Sequence, residues 1–152
     1  MSIQEPLSEM ECWRVRDVLE NYFNALDAKD FPRLMSCFAD DGSSVDHAGT
    51  QFEQSTQSAP AIVRELQDRV AKFKFSNHTT SNIAVSKVSG GAESITFAVA
   101  HLHVGEEIIV RGIRYNDYLE KRNAGWVIVR RRHIPLWQSS CAAIPVVPAW
   151  KS

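Results

Sequence analysis

The residues best suited to chemistry near neutral pH are five histidines, His47, His78, His101, His103 and His133, and one carboxylate, Asp27. Histidine is the usual general base in this range because its ordinary pKa lies close to neutral. Asp27 follows Leu26 and sits beyond Tyr22 at the end of an apolar helical pattern, so a packed helix would bury part of it. A buried charge without a partner is costly, and an imidazole is a natural partner for it. The carboxylate orients the ring and favours its protonated form, which makes the histidine a stronger base. These considerations do not select which histidine meets Asp27.

The elements that must position these groups are legible from pattern. Ser8 and Glu11 form a Ser-x-x-Glu capping box. Behind it Val15, Val18, Leu19, Tyr22, Phe23 and Leu26 recur at helical spacing, which predicts a helix over about 8–28. Asp30 with Pro32 predicts a short second helix carrying Phe31, Leu34, Met35 and Phe38, ended by Asp40-Asp41-Gly42. Residues 43–48 suit a short strand. Ser58 with Pro60 predicts a third helix with Ile62, Val63, Leu66, Val70 and Phe73 on its apolar side. After Phe75 the period changes to two. Turns at Ser89-Gly90-Gly91, Gly105-Glu106-Glu107 and Asn123-Ala124-Gly125 divide the rest into strands over about 76–88, 92–104, 108–122 and 126–138. Helices first and an antiparallel meander second make an α+β pattern, in which a long sheet covered by three helices can curl around a hollow.

Strand alternation groups the candidates. His78 shares a face with Thr80, Asn82 and Ala84; His101 with Phe97, Val99 and His103; Arg131 with Val127, Val129 and His133. Faces that mix polar and apolar side chains suit a pocket lining, and they equally suit a solvated surface. His101-Leu102-His103 and Asp46-His47 contain metal-ligating types, but nothing fixes a third ligand, so the reading includes no metal.

Composition narrows the classes further. The 152 residues, 44% of them apolar and 23% charged, suit one domain over 1–152, with 140–152 as a Pro-containing tail that holds Pro145, Pro148 and Trp150. The net charge of −1, with Arg130-Arg131-Arg132 the one basic run that stands out, argues against a nucleic-acid partner. The three cysteines, Cys12, Cys37 and Cys141, form no Cys-x-x-Cys pair, which suits a reducing, cytoplasmic compartment. The first residues lack the basic start and apolar run of a signal peptide, and no apolar stretch approaches the ~20 residues of a membrane span.

Three segments carry a resemblance. Tyr22-Phe23-Asn24-Ala25-Leu26-Asp27-Ala28-Lys29-Asp30 resembles the end of the first helix in SnoaL-like proteins. Asn77-His78, with Asn82 further on, resembles their histidine strand. Gly112-Ile113-Arg114-Tyr115-Asn116-Asp117-Tyr118, followed by Gly125-Trp126-Val127-Ile128, resembles their closing hairpin. The resemblance covers roughly residues 10 to 138. It implies the cone-shaped α+β barrel of the NTF2-like superfamily, three N-terminal helices packed on a curved, mostly antiparallel sheet. Scytalone dehydratase and hexachlorocyclohexane dehydrochlorinase are the nearest templates. By resemblance, Asp27 and His78 occupy the places of the catalytic pair, His101 that of a second pocket histidine and Arg131 that of a pocket arginine. The places of two pocket tyrosines hold Leu26 and Asp46, and Tyr22 lies near the place of a lysine, so neither template's substrate carries over.

The expectation is therefore a cofactor-independent lyase, by dehydration or related β-elimination, or an isomerase. Asp27, His78, His101 and Arg131 would act on a small hydrophobic, cyclic substrate held by Tyr22, Asp46, Phe97, Val99, Val129 and His133. A binding protein without chemistry and a scaffold like the small subunit of a ring-hydroxylating dioxygenase are the alternatives. The resemblance also implies a homo-oligomer, a trimer in preference to a dimer.

Overall fold

The first helix is built to stop where Asp27 stands. The structure, a computed structural model, describes residues 6–49 and 54–147. Helix α1 runs from Glu9 to Asp27 and buries Val15, Leu19, Tyr22, Phe23, Ala25 and Leu26 along one side. The Ser8 side chain accepts from the Glu11 N–H at 3.2 Å, one arm of the capping box. The other arm is diverted, because the Glu11 carboxylate accepts from Trp126 and, at 3.0 Å, from Lys121. At the far end Lys29 takes a left-handed φ of 55°, and the Asp30 N–H reaches back to the Ala25 carbonyl at 2.9 Å. This left-handed cap ends the helix and leaves Asp27 in its last turn.

Helix α2 (Phe31–Met35) is capped by the Asp30 side chain, which accepts from the Arg33 N–H at 3.1 Å. It ends before Phe38, which instead makes an isolated bridge to Ile128 and packs in the core. Strands β1 (Ser44–His47) and β2 (Gln54–Gln57) precede helix α3 (Ala59–Val70). Ser58 precedes α3 but makes no capping bond with its side chain, contrary to expectation; its φ is 73°. Strands β3 (Phe75–Val88), β4 (Gly91–Val104), β5 (Glu107–Arg122) and β6 (Gly125–Ala142) follow as a meander.

The six strands form one curved, unclosed sheet in the order β2-β1-β6-β5-β4-β3. Only β1 and β6 pair in parallel; every other pairing is antiparallel. Strand β2 is an addition to the expected elements. The last strand also outruns its expected end: Cys141 and Ala142 pair with Ile108 and Glu107, so the tail's first residues belong to the sheet. Beyond it Ile144, Val146 and Val147 are exposed, so this part of the tail does not lie across its own domain. Pro148 and Trp150 fall outside the described residues. No helix among the described residues is long and apolar enough to cross a membrane.

Three irregularities bend the sheet and reset its alternation. One lies between Thr80 and Ile83 in β3. Another places Tyr118 opposite Arg130 but Leu119 opposite Ile128, leaving Val129 as the extra residue. The third places Gly112 opposite Trp137 but Ile113 opposite Pro135, and a bulge is where a strand tolerates proline. Gly112 has no room for a side chain, since a Cβ there would collide with the Trp137 indole.

Candidate functional site

The helices and the concave side of the sheet enclose a narrow hollow. Tyr22 and Leu26 from α1, Leu66 and Val70 from α3, and Ala100, Leu102 and Ile113 from the sheet form its apolar lining. Its polar groups are His47, Arg69, His78, Arg111, Tyr115, Arg131 and His133. A water-sized sphere can move through about 80 Å³ of it, room for several waters or for a small ring once side chains adjust.

Asp27 and His78 meet. The end of α1 packs beside the start of β3, and every polar contact of the carboxylate comes from that strand. Asp27 Oδ1 lies 2.7 Å from His78 Nδ1 and accepts from Ser76 Oγ at 2.8 Å. Asp27 Oδ2 accepts from the His78 backbone N–H at 2.7 Å. Burial pulls the Asp27 pKa upward, but the hydrogen bonds and charge of His78 outweigh it, with Ser76 adding to them, and the carboxyl is held below its ordinary value. With Nδ1 engaged, Nε2 is the other ring nitrogen of His78, and the residue lines the cavity. Phe23 stacks on the same ring, 5.4 Å between centroids, and locks its plane.

Arg131 is the second group placed as expected. It sits opposite Asp117 in the β5–β6 register, and its Nε and Nη2 donate to the two Asp117 oxygens at 2.7 and 2.8 Å. The guanidinium carbon lies 4.1 Å from the Tyr22 ring centroid and 4.6 Å from that of Tyr115. Burial works against its charge, and Asp117 more than offsets this, so the pKa is raised. Arg131 Nη1 is buried with no partner among the described residues.

Tyr22 and His133 also line the cavity as the sequence reading expects. His101, Phe97 and Val99 do not. On β4 the residues facing the core are Ala92, Ser94, Thr96, Ala98, Ala100 and Leu102, so the odd-numbered set points to the opposite face, where His101 is exposed. Val129 is displaced by the bulge: Trp126 and Ile128 face the core before it and Arg131 after it, a change of parity that removes Val129 from the lining. Asp46 is exposed on β1, and its neighbours Val45 and His47 point inward instead. The ligand types weighed for a metal are likewise separated, because β6 and β5 lie between β1 and β4. Among the described residues no group of three or more His, Cys, Asp and Glu side chains gathers as metal ligands would.

Four cavity groups are not assigned to the pocket by the sequence reading, although it names His47 among the candidate histidines. His47 faces His133 across 5.1 Å between ring centroids, and its Nε2 lies 3.6 Å from Glu65 Oε1. Arg69 on α3 pairs with Glu65 and brings Nη1 to 3.4 Å from His47 Nδ1. Arg111 and Tyr115 share the inward face of β5 with Ile113. Burial, with Arg69 next, lowers the His47 pKa. Burial and the nearby His47, Arg111, Arg69 and Arg131 push His133 down to about 3. The alternation of Val45 and His47 was the available signal for His47; nothing local marks Arg69.

The SnoaL-like domain family signature matches residues 11–132. No curated protein matches the chain in sequence. Among solved structures, a presumed scytalone dehydratase from Novosphingobium aromaticivorans superposes with a TM-score of 0.76 at 21% identity, covering 92% of this chain and 95% of the other. Hexachlorocyclohexane dehydrochlorinase LinA-type3 from Novosphingobium barchaimii gives 0.76 at 17% identity, covering 93% and 99%. A protein of unknown function with a cystatin-like fold from Nostoc punctiforme gives 0.70 at 13% identity, covering 86% and 94%. At these identities the likeness is one of fold. The family signature spans most of the chain, and the protein belongs to the SnoaL-like domain family.

Proposed function

We propose that the protein is a cofactor-independent lyase or isomerase in which His78 removes a proton from carbon in a small hydrophobic, ring-containing substrate. The observation that carries this reading is the 2.7 Å contact between Asp27 Oδ1 and His78 Nδ1, with the other carboxylate oxygen tied to the same residue's backbone. A ring held in this way keeps its Nδ1 proton on the Asp27 side and offers the Nε2 lone pair to the cavity.

The chemistry follows from that lone pair. Nε2 takes a proton from a carbon next to an electron-withdrawing group, and the C–H electron pair moves into that group. Arg131 Nη1 stabilises the negative charge that develops on oxygen, the role of a donor already in place before the reaction. In an elimination, the pair returns to form a C=C bond as the β-substituent leaves with its own electrons. A departing hydroxide can recover the proton from Nε2 as water. In an isomerisation, Nε2 returns the proton to a different carbon. Asp27 stabilises the imidazolium in between.

A substrate-independent probe tests the reading: exchange of the acidic C–H protons of 2-indanone in D₂O, followed by NMR. The protein should accelerate exchange above the buffer rate, and His78→Ala should lower that acceleration by roughly 10²–10⁴-fold, the usual share of a positioned general base. Exchange in the variant equal to that of the unaltered protein would end the proton-abstraction reading and leave a binding role for the cavity.

The same reading carries a homo-oligomer, a trimer in preference to a dimer. Exposed apolar residues such as Trp13, Phe75 and Trp137 support it, and light scattering at micromolar protein tests it. The three free cysteines support a reducing, cytoplasmic setting.

A further inference from the structure

The cations of the cavity are not equally partnered. Three guanidinium groups line it, those of Arg69, Arg111 and Arg131, and among the described residues no carboxylate does. Arg131 has Asp117 behind it and Arg69 has Glu65 beside it. Arg111 has no carboxylate partner among the described residues. Its Nε and Nη2 both donate to the single Gln138 Oε1, at 2.9 and 2.7 Å, which orients the group without neutralising it. Burial and neighbouring cations keep His47 and His133 neutral at pH 7, so they neither cancel nor add charge. Asp27 is engaged by Ser76 and His78 on β3, away from the Gln138 contact of Arg111.

A second observation points to the same wall. His133 Nδ1 is buried and has no partner among the described residues. A neutral imidazole offers one donor and one acceptor, and leaving such a group unmatched costs on the order of 1–3 kcal/mol. His133 lies opposite Tyr115 in the β5–β6 register, and Arg111, on the same inward face of β5 as Tyr115, is among the charges that bear on the His133 ring. A monoanionic ligand with oxygen acceptors would balance the first group and satisfy the second.

We infer that the substrate of this cavity carries a carboxylate, held by Arg111 beside His133, in addition to the group whose developing charge meets Arg131. The apolar ring then lies against Leu26, Leu102 and Ile113, between that anchor and His78. That the bound molecule is a substrate rests on the proton-abstraction reading above; the preference for an anion does not.

The test compares benzoate with its neutral isostere benzamide by titration calorimetry at pH 7.5, with ionic strength held constant by chloride. The protein should bind benzoate at least about tenfold more tightly, a difference of about 1.4 kcal/mol. Arg111→Gln should reduce the preference to under about twofold, and Arg111→Lys should keep part of it. Gln138→Glu, which places a carboxylate against Arg111 on an exposed part of β6, should also abolish the preference without removing any cavity group. His78→Ala should retain it, so loss of proton exchange with retained benzoate preference separates the two readings. Equal affinity for the two probes, no benzoate binding up to about 10 mM, or an undiminished preference in both Arg111→Gln and Gln138→Glu would overturn the inference.

Discussion

Two acid–base pairs stand on different elements around the cavity, and they are packed differently. The side chains of Asp117 and Arg131 are 0% and 1% exposed, joined by two parallel hydrogen bonds within the β5–β6 ladder. Those of Asp27 and His78 keep 19% and 7% exposure and join a helix end to a strand. A guanidinium does not release its proton in a protein, so the first pair is a fixed charge. An imidazole does so readily, and its contact with Asp27 engages one nitrogen while leaving the other at the cavity. The same chemical motif, an acid against a base, thus serves as a permanent dipole in one place and as a proton carrier in the other. What separates them is the identity of the base and whether both of its faces are sealed.

The largest effect should come from breaking the sealed pair. Asp117→Ala would leave the Arg131 charge buried and unpaired, between Tyr22 and Tyr115. Removing one partner of such a pair usually costs about 3–5 kcal/mol of stability. Urea denaturation should therefore show a lower midpoint with an unchanged slope. A loss below about 1 kcal/mol would mean that water reaches Arg131 and that the pair is not the fixed charge described here.

The open pair should show the opposite profile, with the heavier loss in chemistry. Asp27→Asn keeps the shape of the side chain but cannot support the imidazolium. Proton exchange should fall roughly 10²-fold or more, while stability falls by only about 1–3 kcal/mol. If stability fell as far as in Asp117→Ala and exchange were unaffected, the two pairs would be structural equals and the contrast would fail.

This contrast also marks what the sequence could disclose. The end of α1 is specified locally, by an apolar helical stripe and the Asp30 cap that follows, so Asp27 could be placed before its partner was known. His78 and Arg131 came from the resemblance, and both line the cavity. Strand residues were harder, because alternation says which side chains share a face and not which face is covered. That ambiguity moved Phe97 and Val99 to the wrong side of β4, and the resemblance put His101 and Asp46 in the pocket although both are exposed, with His47 inward in place of Asp46. Val129 failed for another reason: one extra residue opposite Leu119 inverts the parity of β6, and no turn-forming residue announces it. Strand β2 reads Gln-Ser-Thr-Gln, with no apolar member to give a period. The Asp117–Arg131 pairing depends on register across a hairpin, which that bulge shifts.

Acid should sharpen the comparison by acting on the cationic wall. His133 is held down to about 3, chiefly by burial and then by His47, Arg111, Arg69 and Arg131. The unfolded chain takes up that proton near the ordinary histidine pKa of about 6.5. Below that pH the unfolded state binds a proton that the folded state refuses, so stability falls as pH falls, until the folded pKa is reached. His47, also lowered, acts in the same direction. The expected slope from His133 alone approaches about 1.4 kcal/mol per pH unit between pH 6 and 4. His133→Gln should flatten the curve by about that amount. An unchanged curve would show that the ring is solvated and that this wall lacks the positive character on which carboxylate binding depends.

The smallest effect belongs to Ser76, and it tests whether the open pair owes its reactivity to His78 alone. Ser76 is buried, and its hydroxyl donates one of the three hydrogen bonds that reach the Asp27 carboxylate. Ser76→Ala removes that donor without touching the 2.7 Å contact to the ring. The net depression of the Asp27 pKa should shrink, because a donor that favours the charged form is gone. A carboxyl with a depressed folded pKa contributes stability above its ordinary pKa and loses it as pH falls through the folded value. With less depression, stability at pH 7 should drop by about 1 kcal/mol, and the acid limb of the denaturation curve should begin at higher pH. Proton exchange on 2-indanone should change by less than about fivefold, because His78 keeps its orienting partner and its backbone tie to Oδ2. A loss of exchange as deep as that of Asp27→Asn would mean that Ser76, rather than the imidazole contact, sets the position of the carboxylate, and the reactive unit would then be a triad reaching back along β3.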